Sequence, residues 1–153
     1  MKLTAWRITK RKHVRSAFSG RSASQYGGRW NSPGTAVAYV AGSQALAALE
    51  MLAHLDSAEV MLGYVMIEVR FDDSLVIELE SELPRNWATD PPPLALASIG
   101  DQWAGSGTSV ALRVPSALVP SESNYLLNPR HPEFAQVEIG KPIPYRFDPR
   151  LAK

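Results

Sequence analysis

One block of nine residues carries most of the information on fold and function: Tyr26-Gly27-Gly28-Arg29-Trp30-Asn31-Ser32-Pro33-Gly34. Glycine enters positive φ without steric cost, so Gly27 and Gly28 allow either a tight turn or the close approach of backbone to a ligand. Arg29 offers a planar fork suited to phosphate or carboxylate, and Trp30 offers a flat face for stacking. The block therefore indicates either a binding loop or a purely structural turn.

A glutamate follows this block at position 50, on the apolar side of a predicted helix. At the helical period, Glu50 falls about 40° from Leu46 around the helix axis. A carboxylate there loses water, at a cost on the order of several kcal/mol unless a cation or hydrogen-bond donors compensate. We expect Arg29 or Arg7 to be the partner of Glu50, in a core salt bridge or in an active site, where such carboxylates concentrate.

Length and composition are those of one ordinary globular domain, residues 1–153. The chain is 45% hydrophobic and 20% charged, which suffices for a core without disulfides or a structural metal. Its formal net charge of +1 argues against a general nucleic-acid binder, because such proteins need a positive surplus to displace counterions.

Cysteine and histidine usage excludes further kinds of site. The chain has no cysteine, which excludes disulfides and thiolate catalysis. Its histidines, His13, His54 and His131, are scattered, so no metal site is expected. We find no signal peptide and no run of membrane-spanning length, and we expect a cytoplasmic protein without a long N-terminal extension.

Apolar patterning predicts an α+β fold with mostly antiparallel strands and few helices. Val60 to Phe71 alternates as a half-buried strand, and the turn at residues 72–74 should return it as an antiparallel partner at 75–79. Residues 80–93 should be irregular, and residues 115–132 should form a polar, proline-punctuated loop. The other expected elements are strands at 3–8, 36–41, 109–114 and 135–139 and helices at 44–55 and 94–103.

The strand at 36–41 leads into the first predicted helix, for which Ser43 is the natural N-cap. Ser43 and Glu50 differ by only about 20° around the helix axis, so with Tyr39 they can face one cleft. Tyr39 is equally well explained as a core tyrosine. The basic run Lys10 to Arg15 is either solvated surface or close to a polyphosphate ligand.

Several motifs occur together: residues 26–34, Tyr39 before Ala-Gly-Ser, Glu50, Val114-Pro115-Ser116, and Asn-Tyr-Leu-Leu-Asn-Pro-Arg-His-Pro at 124–132. In this combination the chain resembles the RES family, the toxins of bacterial RES–Xre toxin–antitoxin pairs, from Trp6-Arg7 to about residue 139. The family name refers to an arginine, a glutamate and a serine. These correspond to Arg7 or Arg29, to Glu50, and to Ser116, with Ser43 as the competing serine.

The resemblance implies a fold similar to ADP-ribosyltransferases and bacterial mono-ADP-ribosylating toxins, with NAD as substrate and no metal. Family members destroy NAD by hydrolysis or phosphorolysis, or transfer ADP-ribose to a cellular protein. Glu50, facing the positive charge that develops on ribose, and Arg29 are the catalytic residues that it implies. The implied NAD-binding residues are Arg7, Arg29, Tyr39, Ser43, Ser116 and Asn124.

The resemblance also implies a partner, an Xre-type helix-turn-helix antitoxin that occludes the NAD cleft. For ADP-ribose transfer, a host protein would be the acceptor, and neither a membrane nor nucleic acid is expected as a direct partner. Two other functions stay open, a non-catalytic nucleotide-binding module and a structural partner of a DNA-binding antitoxin. His131, placed before Pro132, is expected to be a turn residue rather than a general base.

Overall fold

The computed structural model describes residues 1–153, which build an eight-stranded sheet and four α-helices. The sheet order is β4-β5-β6-β2-β1-β3-β7, with β8 also paired to β3, and only β4 and β5 are parallel. The predicted α+β class with mostly antiparallel strands is confirmed. The strands are β1 (Lys2–Lys10), β2 (Ala38–Ala41), β3 (Tyr64–Asp72), β4 (Val76–Glu78), β5 (Ala111–Pro115), β6 (Ser123–Leu127), β7 (Glu138–Ile139) and β8 (Ile143–Tyr145); the helices are α1 (Arg21–Tyr26), α2 (Gln44–Leu52), α3 (Ser57–Val60) and α4 (Leu94–Ser106).

The sheet divides into two halves where β1 meets β2. β1 pairs with β3 along its whole length, from Lys2 opposite Asp72 to Lys10 opposite Tyr64. In contrast, β1 pairs with β2 only where Trp6 lies opposite Ala41. We call this sparse contact the seam. It separates a half made of β1, β3, β7 and β8 from a half made of β2, β6, β5 and β4.

Hydrophobic clusters hold the two halves and the helices together. The inner core takes buried side chains from both halves, among them Ala5 and Phe71 from one and Val40 and Leu127 from the other. A second cluster packs α2 against β1 and β3 around Leu46, and a third packs Trp30 and α4 against β2, β5 and β6. Burial of apolar surface is the main favourable term in folding, at about 25 cal/mol per Å².

A glycine allows α4 to lie directly against the block at residues 26–34. A Cβ atom built on Gly100 would stand 1.6 Å from the carbonyl oxygen of Trp30, so no larger residue fits at this contact. One turn later Trp103 is buried, and its indole N–H donates to the Ser109 hydroxyl at 2.8 Å. The helix thereby fixes the position of Trp30 and of the block around it.

The predicted antiparallel hairpin after β3 is wrong. The chain makes a 3-10 turn at Asp73–Leu75, in which the Asp72 carboxylate accepts the backbone N–H of Ser74 and Leu75 enters the inner core. The turn directs β4 away from β3 to the opposite edge of the sheet, where Val76 pairs in parallel with Ala111. Parallel strands need a long crossover, and the segment between β4 and β5, with α4, supplies it.

The polar loop predicted over residues 115–132 contains a central strand instead. β6 pairs with β2 on one side and with β5 on the other, and Tyr125, Leu126 and Leu127 are buried. The prolines that suggested a loop lie outside this strand, since Pro115 ends β5 and Pro129 and Pro132 follow β6. Burial on both faces therefore outweighs the polar and proline-rich flanks.

Other boundaries differ by a few residues from those predicted. The helix expected over residues 44–55 ends at Leu52, and the strand expected from Val60 begins at Tyr64 because residues 57–60 form α3. The last predicted strand, 135–139, shrinks to Glu138–Ile139, and the basic run after Lys10 forms a 3-10 turn, Arg11–Ser16. Residues 80–93 contain no helix or strand, as expected. None of the helices is long and apolar enough to cross a membrane.

Candidate functional site

Glu50 lies on α2, half-buried, with its two carboxylate oxygens in different surroundings. Oε2 accepts hydrogen bonds from the Ser116 hydroxyl at 3.0 Å and from the side-chain amide of Asn124. Oε1 accepts no hydrogen bond from the chain. The carboxylate is therefore fixed through one oxygen, while the other is left to meet a ligand.

The salt bridge expected between Glu50 and Arg7 or Arg29 is absent. Neither arginine contributes to any ion pair in the structure. Two neutral donors replace the expected cation, the Asn124 amide on β6 and the Ser116 hydroxyl after β5. Hydrogen bonds, like a cation, stabilise a carboxylate that has lost water. Helical geometry located the half-buried carboxylate correctly but could not identify what faces it.

Ser116 is fully buried at the end of β5 and is committed to holding Glu50. Its hydroxyl oxygen accepts the backbone N–H groups of Leu118 and Val119, each at 3.1 Å. The hydroxyl has a single proton, which it donates to Oε2 of Glu50 at an oxygen–oxygen distance of 3.0 Å. Because Ser116 has no exposed surface, the role that the structure gives it is to position Glu50.

Asn124 on β6 completes the attachment of Glu50. A carboxylate can only accept, so the Asn124 amide must present its nitrogen to Glu50 and turn its oxygen away. That oxygen, Oδ1, is buried and has no hydrogen-bond partner. A buried acceptor without a donor costs about 1–3 kcal/mol. Asn124 therefore carries an unsatisfied polar atom directly beside the Glu50 carboxylate.

Arg7 bridges the seam between the two halves of the sheet. Its Nη1 donates to the main-chain carbonyl of Tyr39 at 2.8 Å, on the strand with which β1 otherwise hardly pairs. Its Nε is buried without a partner. Burial lowers the pKa of Arg7 to about 10, so the side chain remains a cation at neutral pH. Arg7 Nε and Asn124 Oδ1 are the only two buried side-chain polar atoms that lack a hydrogen bond.

Tyr39 holds the block at residues 26–34 in shape. Its hydroxyl donates to Asn31 Oδ1 at 2.6 Å and accepts the backbone N–H of Trp30 at 3.2 Å. A Cβ on Gly28 would come within 2.7 Å of this hydroxyl, which is why the second glycine is needed. Burial raises the pKa of Tyr39, so the hydroxyl stays protonated and donates. Stacking of the ring on nicotinamide stays a prediction.

Asn31 is a residue whose importance sequence reasoning missed. It is 1% exposed, and its amide nitrogen lies within hydrogen-bond distance of the carbonyl oxygens of Ala23, Ser32 and Thr35. With the bond from Tyr39, both ends of its side chain are used. An asparagine between an aromatic residue and a serine-proline turn was the available signal, because asparagine often satisfies local backbone groups.

Arg29 connects the block to the irregular segment at residues 80–93. Its Nη1 donates to the carbonyl oxygens of Trp87 at 2.9 Å and Thr89 at 2.8 Å. Nε and Nη2 donate to no group in the chain, so part of the guanidinium fork is left for a ligand. Arg29 thus positions a long segment in addition to any contact with substrate.

Ser43 is the N-cap of α2, as predicted. Its hydroxyl accepts the backbone N–H of Leu46 at 3.0 Å. The structure thus brings Glu50, Ser116 and Asn124 into direct contact and joins Arg7 to Tyr39, whereas Ser43 and Arg29 hold other partners. No group of three or more His, Cys, Asp or Glu side chains is arranged to hold a metal ion.

Comparison with known proteins shows the family to which the chain belongs. A model of the RES domain family matches residues 4–148. A protein named Toxin Res from Yersinia enterocolitica serotype O:8 / biotype 1B is 40% identical over 148 residues, which cover 95% of this chain and 97% of the relative. The Prs ADP-ribosylating toxin of a Sphingobium species is 36% identical over 159 residues, which cover 100% of this chain and 99% of the relative.

A solved structure shares the fold. In the crystal structure of the M. tuberculosis MbcT–MbcA toxin–antitoxin complex, one chain matches with a TM-score of 0.77 and 18% identity. The match covers 99% of this chain and 87% of that chain. The family resemblance carried by the motifs at residues 26–34, Glu50, 114–116 and 124–132 is confirmed by a family match over nearly all residues. This chain belongs to the RES domain family.

Proposed function

We propose that this protein is the toxin of a toxin–antitoxin pair and that it breaks the bond between nicotinamide and ribose in NAD. The names of the relatives support the toxin role, and one of them is named an ADP-ribosylating toxin. The observation that carries the chemistry is the Glu50 carboxylate, fixed through Oε2 and free of intramolecular hydrogen bonds at Oε1.

Cleavage of this bond leaves positive charge on the ribose. Nicotinamide departs with the bonding electron pair, so C1′ and the ring oxygen acquire oxocarbenium character. Oε1 of Glu50 would accept hydrogen bonds from the ribose hydroxyls and face that charge. Ser116 and Asn124 hold the carboxylate in one orientation beforehand, which avoids reorganisation during the reaction.

The other proposed binding residues suit the anionic and aromatic parts of NAD. Arg7 and Arg29 would bind the pyrophosphate or a ribose, since each retains guanidinium N–H groups without a partner in the chain. Tyr39 would stack on nicotinamide, and Ser43 would contact the ligand near the start of α2. The unpaired oxygen of Asn124 fits a ribose hydroxyl as donor.

The second half of the reaction needs a nucleophile that attacks C1′ and loses its proton. Water would give ADP-ribose, inorganic phosphate would give ADP-ribose 1″-phosphate, and a protein side chain would give an ADP-ribosylated acceptor. All three share the cleavage step, so Glu50 would serve each of them. The name of the Sphingobium relative favours a protein acceptor.

Mass spectrometry of the purified chain incubated with NAD tests this proposal. Three reactions are compared, in phosphate-free buffer, with added phosphate, and with a bacterial lysate. We expect release of nicotinamide in at least one of them, with ADP-ribose on the corresponding nucleophile, and release that is slower by about 10²-fold or more from the Glu50→Gln variant. The proposal would be contradicted if the folded protein released nicotinamide in none of the three reactions.

We further propose that an Xre-type helix-turn-helix antitoxin inhibits the protein by covering the region around Glu50. A solved structure of similar fold is a toxin–antitoxin complex. The cationic groups that we propose for the entrance are Arg7, Arg29 and the 3-10 turn after β1, in which Arg11, Lys12 and Arg15 are exposed and form no salt bridge. A carboxylate of the antitoxin would compete with the pyrophosphate of NAD for these groups.

NAD binding to the Glu50→Gln variant, alone and in complex with its antitoxin, measures this competition without turnover. We expect the complex to bind NAD at least about tenfold more weakly, as for the loss of one charge-assisted contact. Equal NAD affinity in the two samples would exclude occlusion. Inhibition would then act on a protein acceptor or through a distant conformational change.

A further inference from the structure

A second group of cationic side chains lies in an open surface depression of about 450 Å³. No carboxylate lines this depression, which contains two arginines. Neither guanidinium forms a salt bridge or a hydrogen bond within the chain, so two like charges share one site without a counter-charge. We call this site the anion depression; its lining residues are Ser19, Arg21, Ser24, Gln25, Ala36 and Arg130.

The turn at residues 128–132 displays Arg130 on a fixed backbone. Asn128 accepts the backbone N–H of Arg130 at 3.0 Å and donates to the carbonyl of Ala104 at 3.2 Å. His131 accepts the backbone N–H of Glu133 at 3.0 Å, and its other ring nitrogen lies 2.9 Å from the carbonyl oxygen of Gly107. His131 is thus the turn residue that its neighbours predict. Arg130 is the one polar side chain of the turn that has no partner within the fold.

Arg21 is displayed on an equally fixed backbone at the start of α1. Gly20 adopts a φ of 73°, and a Cβ on it would stand 2.8 Å from the backbone nitrogen of Val37. This close approach places the first residue of α1 beside Ala36. The backbone N–H of Arg21 also donates to the Ser19 hydroxyl at 3.2 Å. Each arginine is therefore held at the depression by contacts of its own backbone, and its side chain is left unpaired.

The anion depression lies at the opposite end of β2 and β6 from Glu50. These strands pair from Ala41 opposite Asn124, which binds Glu50, to Ala38 opposite Leu127. Ala36 and Arg130 lie beyond the second end. The strand between the two ends alone is about 10 Å long. The depression is thus separate from the carboxylate proposed to act on NAD.

We infer that the anion depression is a second binding site, which takes a phosphate group, as free phosphate or on a nucleotide. Guanidinium groups bind phosphate oxygens through paired, charge-assisted hydrogen bonds, and two of them can share one dianion. The Ser24 hydroxyl and the Gln25 amide make no hydrogen bonds within the chain and add two neutral donors. The inference stands without the NAD chemistry proposed for Glu50, because none of its residues is hydrogen-bonded to Glu50, Ser116 or Asn124.

A titration followed by ¹H–¹⁵N NMR tests the site. Inorganic phosphate and, separately, AMP are added at constant ionic strength maintained with chloride, because exposed charges are screened by salt. We expect saturable shifts at the backbone amides of residues 19–25 and 130. Arg21→Ala and Arg130→Ala should each weaken binding at least about tenfold, as for loss of one hydrogen bond to a charged group.

Matched variants separate this site from general surface charge and from the reaction site. Arg70→Ala removes another exposed, unpaired arginine outside the depression and should leave the affinity unchanged. Glu50→Gln alters only the reaction site and should leave the shifts at residues 19–25 and 130 unchanged. Tighter binding of AMP would identify a nucleotide as the source of the phosphate, and equal binding would identify the phosphate group alone. Shifts confined to residues around Glu50, an absence of saturable shifts, or shifts unaffected by both arginine variants would each overturn the inference.

Discussion

Replacing Glu50 with glutamine is expected to lower NAD cleavage by about 10²-fold or more and to relieve growth inhibition. The substitution keeps the shape of the side chain but removes the negative charge that would face the developing oxocarbenium ion. Loss of one preorganised group that stabilises the transition state lowers kcat by about 10²- to 10³-fold. Nicotinamide release by the wild type and the variant, measured at saturating NAD, gives the ratio.

The fold should survive this substitution, because an amide oxygen can still accept the hydrogen bonds of Ser116 and Asn124. Glu122→Gln is the matched control. Glu122 is exposed, its side chain makes no hydrogen bond or salt bridge, and only its backbone contacts Ser116. We expect wild-type turnover from that control. Undiminished turnover by a folded Glu50→Gln protein would remove Glu50 from the mechanism.

Gly100→Ala is expected to lower the free energy of unfolding by about 3 kcal/mol or more, or to prevent folding. The added methyl group would stand 1.6 Å from the carbonyl oxygen of Trp30, and backbone cannot move aside as a flexible side chain can. Overpacking of this kind costs about 1–3 kcal/mol even where the neighbours adjust. Urea unfolding followed by tryptophan fluorescence measures the change.

Gly105→Ala provides the opposite case on the same helix. Gly105 also lies in α4, but a Cβ there would meet no atom within 4 Å. Alanine is favoured over glycine in a helix by about 0.5–1 kcal/mol, so this variant should be slightly more stable than the wild type. Helix propensity favours alanine at both positions, so similar losses of stability in both variants would mean that the contact between Gly100 and Trp30 does not control the effect.

Much of the fold could be predicted because the local pattern and the tertiary environment agree. The alternation of Val65, Ile67, Val69 and Phe71 identified β3, since one face of that strand fills the inner core. β6 was missed because its flanking prolines and polar residues indicate a loop, while its burial depends on two strands that are distant in sequence. The parallel pairing of β4 with β5 could not be predicted either, because the local sequence indicates that the chain turns after β3 but not which strand it then pairs with.

Sequence reasoning named residues of the candidate site but not their contacts, and the roles of these residues stay predictions. The helical position of Glu50 and the order of the motifs identified the carboxylate and Ser116. The partner of that carboxylate depends on how α2, β5 and β6 are placed, and sequence spacing does not encode this. Arg29 was expected at a ligand, yet half of its fork is engaged with the carbonyl groups of Trp87 and Thr89.

The candidate site lies across the seam between β1 and β2, so its residues come from both halves of the sheet. Glu50 belongs to α2, which packs mainly on β1, while Ser116 and Asn124 belong to the other half of the sheet. Backbone pairing contributes almost nothing across this joint, so the relative placement of the halves is set by the side chains of the inner core and by Arg7. The alignment of the Glu50 carboxylate with its two donors thus depends on how tightly the inner core is filled.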